Sequence, residues 1–195
     1  RDLKYIRELH VIAVNNECKE LTAVLYRMNS VNESSEKEVV ISCEQAVHNS
    51  LSEPFTYTLS EEKNAVCQLA DRVEIYLYEP GAALLKAGPY RLLSQRYGVK
   101  KLHPNSHLYT SSVQVDFPGR CFQVTGISGF GKKEVKELLG GLEKANLTVR
   151  NFPASVADLR KKLKLKEGGD VYLFATTLQN GEKVLIKCLK PALLS

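Results

Sequence analysis

No two cysteines of this chain form a C-x-x-C pair, and the five present (Cys18, Cys43, Cys67, Cys121 and Cys188) are odd in number and scattered. This spacing argues against a disulfide framework or a zinc ribbon, and for a reducing, cytoplasmic setting in which the cysteines serve as small core residues. Also missing are an N-terminal signal-peptide pattern and any apolar run near the roughly 20 residues that a membrane span requires. Methionine occurs once, as Met28, and the first residue is Arg1, so the sequence is expected to be a piece of something longer.

What is present is ordinary for a globular protein: 195 residues, 44% hydrophobic and 25% charged. That is enough chain for one large domain or two small ones. The charge is uneven. Residues 1–116 hold 13 Lys and Arg against 15 Asp and Glu, whereas residues 117–195 hold 14 against 7, a balance of +7. A basic stretch beside a near-neutral one suggests a polyanionic partner, nucleic acid before membrane.

The pattern of elements is α+β: a strand-rich N-terminal module with a strand-helix-strand unit, then a small β-α-β-α-β-β sandwich. Residues 9–14 and 21–26 read as a hairpin across a polar turn at 15–20, and 29–37 as a polar loop. Strands are expected at 39–43 and 55–59, and a short helix over the stretch 60–72, beginning at Ser60 with Glu61 and Glu62 in its first turn. Val73, Ile75 and Leu77 alternate as in a strand; Glu79-Pro80-Gly81 then turns the chain into a helix that Gly88-Pro89 should split. A short strand at 107–112 closes this block. After a break at Asp116 to Arg120, strands are expected at 121–125, 147–152, 171–177 and 183–189. Helices are expected at 132–142 and from N-cap Ser155 to about Leu165, and Asn180-Gly181 signals a two-residue hairpin.

Three motifs suggest chemistry that their surroundings do not sustain. Gly126-Ile-Ser-Gly-Phe-Gly131-Lys132 has phosphate-loop spacing, but Lys133 stands where a magnesium-binding Ser or Thr is needed. His103 and His107 have ligand spacing, yet Pro104 and Asn105 between them oppose a helix. Cys18 sits in a turn without a histidine partner, so a nucleophile is not supported. Glu79, Lys86, His103, Asn105 and His107 are the polar candidates of residues 73–112, read chiefly as a junction that orients the basic unit. Glu79 and Asn105 each lie at a turn from which they could face an adjoining domain or substrate.

The basic candidates are Lys132, Lys133 and Lys136 on the first helix of the C-terminal unit, Arg160, Lys161, Lys162 and Lys164 on or just after the second, and Arg150 at the edge of a central strand. Such a surface can hold a phosphate backbone, giving affinity more than specificity. It can equally be a solvated helix face. No aromatic residue is interleaved with these lysines in sequence, so single-strand base recognition is not directly supported.

The blocks YLYEPGAALLKAG (76–88), KLHPNSHLYTS (101–111), DFPGR-x-F (116–122) and NFPASVADLRKKLKLKEGGDVYLFATT (151–177) resemble the C-terminal half of a bacterial family of class I S-adenosylmethionine-dependent methyltransferases. In that family a ferredoxin-like segment and a THUMP-like domain follow the Rossmann-type catalytic domain. The resemblance implies that residues 1–72 are the tail of the methyltransferase domain, with the 9–26 hairpin among its closing strands. Residues 73–116 would be a ferredoxin-like connector and residues 117–195 a THUMP-like domain. The cofactor loop and catalytic motif would lie upstream of Arg1, so no catalytic, S-adenosylmethionine-binding or metal residue falls on this chain, and it is not expected to be active alone. The expected partners are the missing methyltransferase domain and an RNA of the tRNA or rRNA kind; the alternative is a protein-interaction or dimerisation module.

Overall fold

A computed structural model describes residues 6–25, 38–47 and 50–192. The loop expected at 29–37, Tyr26, Met28 and His48 lie outside the described residues. The chain forms two compact units, one of residues 1–67 with 80–96, the other of residues 68–79 with 97–195, so segment 73–116 is shared between them.

In the first unit, β1 (Ile6–Val14) pairs antiparallel with β2 (Glu17–Leu25) and parallel with β3 (Val40–Val47). β3 also pairs antiparallel with β4 (Ser50–Leu51) and β5 (Phe55–Thr58). The first hairpin is tighter than its polar spacer suggests. Asn15 and Asn16 both take positive φ, 51° and 61°, the geometry of a two-residue type I′ turn. The strands therefore run to the turn on both sides. α1 (Leu59–Asn64) starts one residue earlier than expected and stops well short of 72, because Ala65 turns extended: Thr58, not Ser60, is the N-cap and forms a capping box with Glu61. Ser60 instead donates its hydroxyl to Glu38 at 2.6 Å. α2 (Ala82–Ala87) ends at left-handed Gly88, and Pro89 separates it from α3 (Tyr90–Tyr97), the expected split. Val11, Ala13, Ile41, Cys43, Ala83 and Leu84 are buried, and Tyr57 ties the end of α2 by donating to the Ala87 carbonyl at 2.7 Å.

The second unit holds β6 (Tyr76–Pro80), β7 (Lys100–Lys101), β8 (Tyr109–Ser111), β9 (Gly119–Ser128), α4 (Lys132–Leu139), β10 (Asn146–Arg150), α5 (Val156–Leu163), β11 (Tyr172–Thr177) and β12 (Lys183–Leu189). From β9 onward this is the expected β-α-β-α-β-β order. The strands form one mixed sheet in the order β10-β11-β12-β9-β6-β8-β7. β10 is thus an outer strand rather than a central one. The β11–β12 hairpin forms where Asn180-Gly181 signals it, but with a longer loop. Gly181 alone takes positive φ, at 85°, and its N–H bonds the Leu178 carbonyl, a type I turn followed by a left-handed glycine.

The two faces of this sheet have different jobs. One packs Leu147, Leu173, Ala175 and Leu185 against Leu159 of α5 and Leu138 and Leu139 of α4. The other carries Leu77, Phe122, Phe174, Ile186 and Cys188, closed over by Leu102 and Leu108. All five cysteines are free thiols. Among the described residues no helix is long and apolar enough to cross a membrane.

Candidate nucleic-acid interface and the buried glutamate of the same sheet

Strand alternation puts Glu79 on the face of Leu77, Arg120 on that of Phe122, and Arg150 with Thr148 on the face away from Leu147. These side chains meet. Glu79 is 1% exposed, and its carboxylate accepts from both arginines. Arg150 donates Nε to Oε1 at 2.9 Å and Nη2 at 2.8 Å; Arg120 donates Nε to Oε2 at 3.0 Å, with Nη2 on the same oxygen. A carboxylate so buried requires such partners. In a flat sheet β10 and β6 would stand roughly 19 Å apart, four strand spacings. An arginine cannot span that, so the sheet coils around its inner core until Arg150 closes on Glu79.

Next along the chain, Asn151 takes φ 52° and its Nδ2 lies 3.0 Å from His103 Nδ1, which also accepts the Asn105 N–H at 2.9 Å. His103 is thereby tied to the turn of the 101–108 loop and to the residue that follows β10. Among the described residues no three or more His, Cys, Asp and Glu side chains gather as metal ligands. His107 takes φ 53°, and burial, with Lys101 and Arg150 adding to it, lowers its pKa to about 4. Of the junction residues, Glu79, His103 and His107 belong to this one neighbourhood. Asn105 is exposed in its turn, and Lys86 is exposed on α2 in the other unit.

This histidine gives a pH dependence with a definite sign. An unfolded chain protonates His107 below about 6.5, whereas the folded chain holds it neutral down to about 4. Acidification through that window therefore favours unfolding. His10 of the first unit acts oppositely: hydrogen bonds to Glu44 and then Glu8 raise its pKa, so its contribution is full below 6.5 and fades as pH rises. His107→Asn, which tolerates positive φ, should flatten the acid-side loss. Urea midpoints of the two proteins are expected to converge as pH falls from 6.5 to 4, and an unchanging gap would contradict the assignment.

On the helix-bearing face of the sheet, Lys132, Lys133 and Lys136 of α4 and Lys161 and Lys162 of α5 are all exposed. α5 begins at the expected capping box, with Ser155 accepting the Asp158 N–H at 3.1 Å, and ends with Lys164 left-handed at φ 55°. Two basic candidates are partly committed elsewhere. Arg150 is held on Glu79, and Arg160 donates to the Ala145 carbonyl at 3.3 Å. The phosphate-loop look-alike is also occupied: a Cβ on Gly129 would stand 2.5 Å from the Glu134 carboxylate, so the glycines make room for an anionic side chain of the same helix.

Residues 76–118 match a ferredoxin-like domain family, and residues 119–190 match a THUMP domain-like family. The chain carries a ferredoxin-like domain followed by a THUMP-like domain. It also superposes on the crystal structure of a "putative methyltransferase" from Porphyromonas gingivalis W83, with a TM-score of 0.86 and 37% sequence identity. That similarity covers 96% of this chain and 46% of the other, so this chain spans about half of that one's length. No match is found among curated proteins.

Two features of the THUMP-like domain escape sequence reasoning. Arg120 lies in the DFPGR block, but nothing local shows that it faces Glu79. The aromatic residues that the lysines lack in sequence are supplied by the fold. Phe130 precedes α4 and Phe152 follows β10, yet their ring centroids stand 4.7 Å apart, and Lys162 Nζ lies 5.9 Å from the Phe130 ring centre.

Proposed function

We propose that this chain is the substrate-recognition part of an S-adenosylmethionine-dependent methyltransferase, and that its THUMP-like domain holds RNA through the lysines of α4 and α5. The observation that carries the reading is the segregation of charge: a +7 balance over residues 117–195, with five exposed lysines on two helices that pack on one face of one sheet. The similarity to a "putative methyltransferase" over 96% of this chain supports the enzyme class. In this reading the cofactor and the reacting atoms belong to the remainder of the parent enzyme.

Phosphate contacts by lysine release counterions, so affinity for a tRNA-sized RNA should fall steeply with salt, with a log–log slope of roughly 0.7–0.9 per contact. A filter-binding titration over a salt series measures it. Lys133→Glu together with Lys161→Glu, one on each helix, should reduce both affinity and slope. Absence of binding at low salt, or a double variant that binds like the unaltered chain, would refute the reading. A second reading, a docking module, is favoured by Leu21 and Leu25, 58% and 51% exposed on outer strand β2. Light scattering across a dilution series would reveal a salt-insensitive dimer in that case.

A further inference from the structure

We infer that the pocket between Phe130, Phe152 and α5 receives one unpaired nucleotide of the RNA, its base on the aromatic surface and its phosphate on Lys162 and Lys183. The inference rests on the RNA-binding reading above and adds to it the strand type. The pocket has a volume of about 280 Å³ and is lined by Phe130, Phe152, Pro153, Leu159, Lys162 and Lys183, with Ala154 and Asp158 completing it. Sites for drug-sized ligands run from roughly 300 to 1,000 Å³. A cavity at the bottom of that range suits a single planar group.

Its chemistry is equally selective. Two half-buried phenylalanines, tilted 34° to one another, form an apolar wall at the foot of an otherwise basic surface. Two exposed lysines stand at its rim. The single acid, Asp158, already accepts the Ser155 hydroxyl at 2.6 Å within the capping box, leaving the cations in excess. An aromatic group attached to an anion satisfies both halves, and an unstacked nucleotide is such a group. A paired duplex keeps its bases inside and can offer the lysines only phosphates. The short connection 129–131 gains a purpose here. With Glu134 seated against Gly129 and Gly131, it fixes the turn on which Phe130 is presented.

The test compares a short labelled oligouridylate with a blunt duplex RNA of equal phosphate number, by fluorescence anisotropy on the full chain. Phe130→Leu and Phe152→Leu retain apolar bulk and remove the ring. Each should weaken oligouridylate binding roughly 5- to 150-fold, the range for one lost base stack, while leaving the salt slope and duplex binding unchanged. Lys162→Met, which retains the stem over Phe130, should lower the single-strand salt slope by about 0.7 and provides the test should a leucine variant melt early. If the unaltered chain binds both RNAs with salt-dependent affinity and these variants bind oligouridylate as it does, the pocket assignment is overturned and the lysine surface stands. If it binds neither RNA, both readings fall.

Discussion

Replacing Arg120 and Arg150 together with alanine is expected to lower the unfolding free energy by about 3–5 kcal/mol, more than Glu79→Gln will. The asymmetry follows from burial. The Glu79 side chain is 2% exposed, whereas those of Arg120 and Arg150 are 41% and 37% exposed. When Glu79 loses its charge, both guanidinium groups can turn to water, and solvent screening limits the loss to about 1–2 kcal/mol. When both arginines go, a carboxylate is left inside with no cation. Single arginine variants should fall between, because the remaining guanidinium still covers one oxygen. Urea titrations followed by circular dichroism give the ranking. A Glu79→Gln variant as unstable as the double arginine variant would show that the ion pairs position the arginines rather than solvate the glutamate.

Several elements are legible in the sequence because their signals are local. Ser155 and Asp158 are three residues apart, so one capping box marks the start of α5. Gly88-Pro89 similarly marks the gap between α2 and α3. Turn lengths were less legible. Asn15-Asn16 closes a two-residue turn inside a longer polar run, while Asn180-Gly181 belongs to a longer loop in which Asn180 Oδ1 accepts the Glu182 N–H at 2.9 Å. Glu79 and Arg150 are legible as single polar candidates but not as partners, and Arg120, Phe130 and Phe152 are not legible as site residues at all. Glu79 and Arg150 are 71 positions apart, and only the coiling of the sheet, a property of all its strands together, brings them into contact. The same holds for Phe130 and Phe152. Each lies in a loop at the end of a strand, and their pairing depends on where β9 and β10 finish.

The remaining large effect concerns Phe117, where alanine should cost about 3–5 kcal/mol. Its ring is 8% exposed and stands 5.2 Å from Tyr78, 5.4 Å from Tyr97 and 5.6 Å from Tyr109, centre to centre. Truncation would open a hole among three tyrosines that cannot close without moving a strand. Phe117→Leu should cost less, about 1–2 kcal/mol, since most volume is kept and the ring contacts are lost. Phe117 also works together with Arg120. The segment from β8 to β9 is tied by the Tyr78 hydroxyl, which donates to the Val113 carbonyl at 3.0 Å and accepts the Val115 N–H at 3.1 Å. Phe117 then anchors its middle, and Arg120 fastens its end to Glu79. If the ring sets the path of that segment, a chain lacking Phe117 already holds Arg120 less well, and removing Arg120 should then cost less than it does in the unaltered protein. A double-mutant cycle of Phe117→Ala with Arg120→Ala is therefore expected to depart from additivity by more than about 0.5 kcal/mol. Strict additivity would mean that the aromatic cluster and the glutamate clamp are independent, and that β9 begins at Gly119 without help from Phe117.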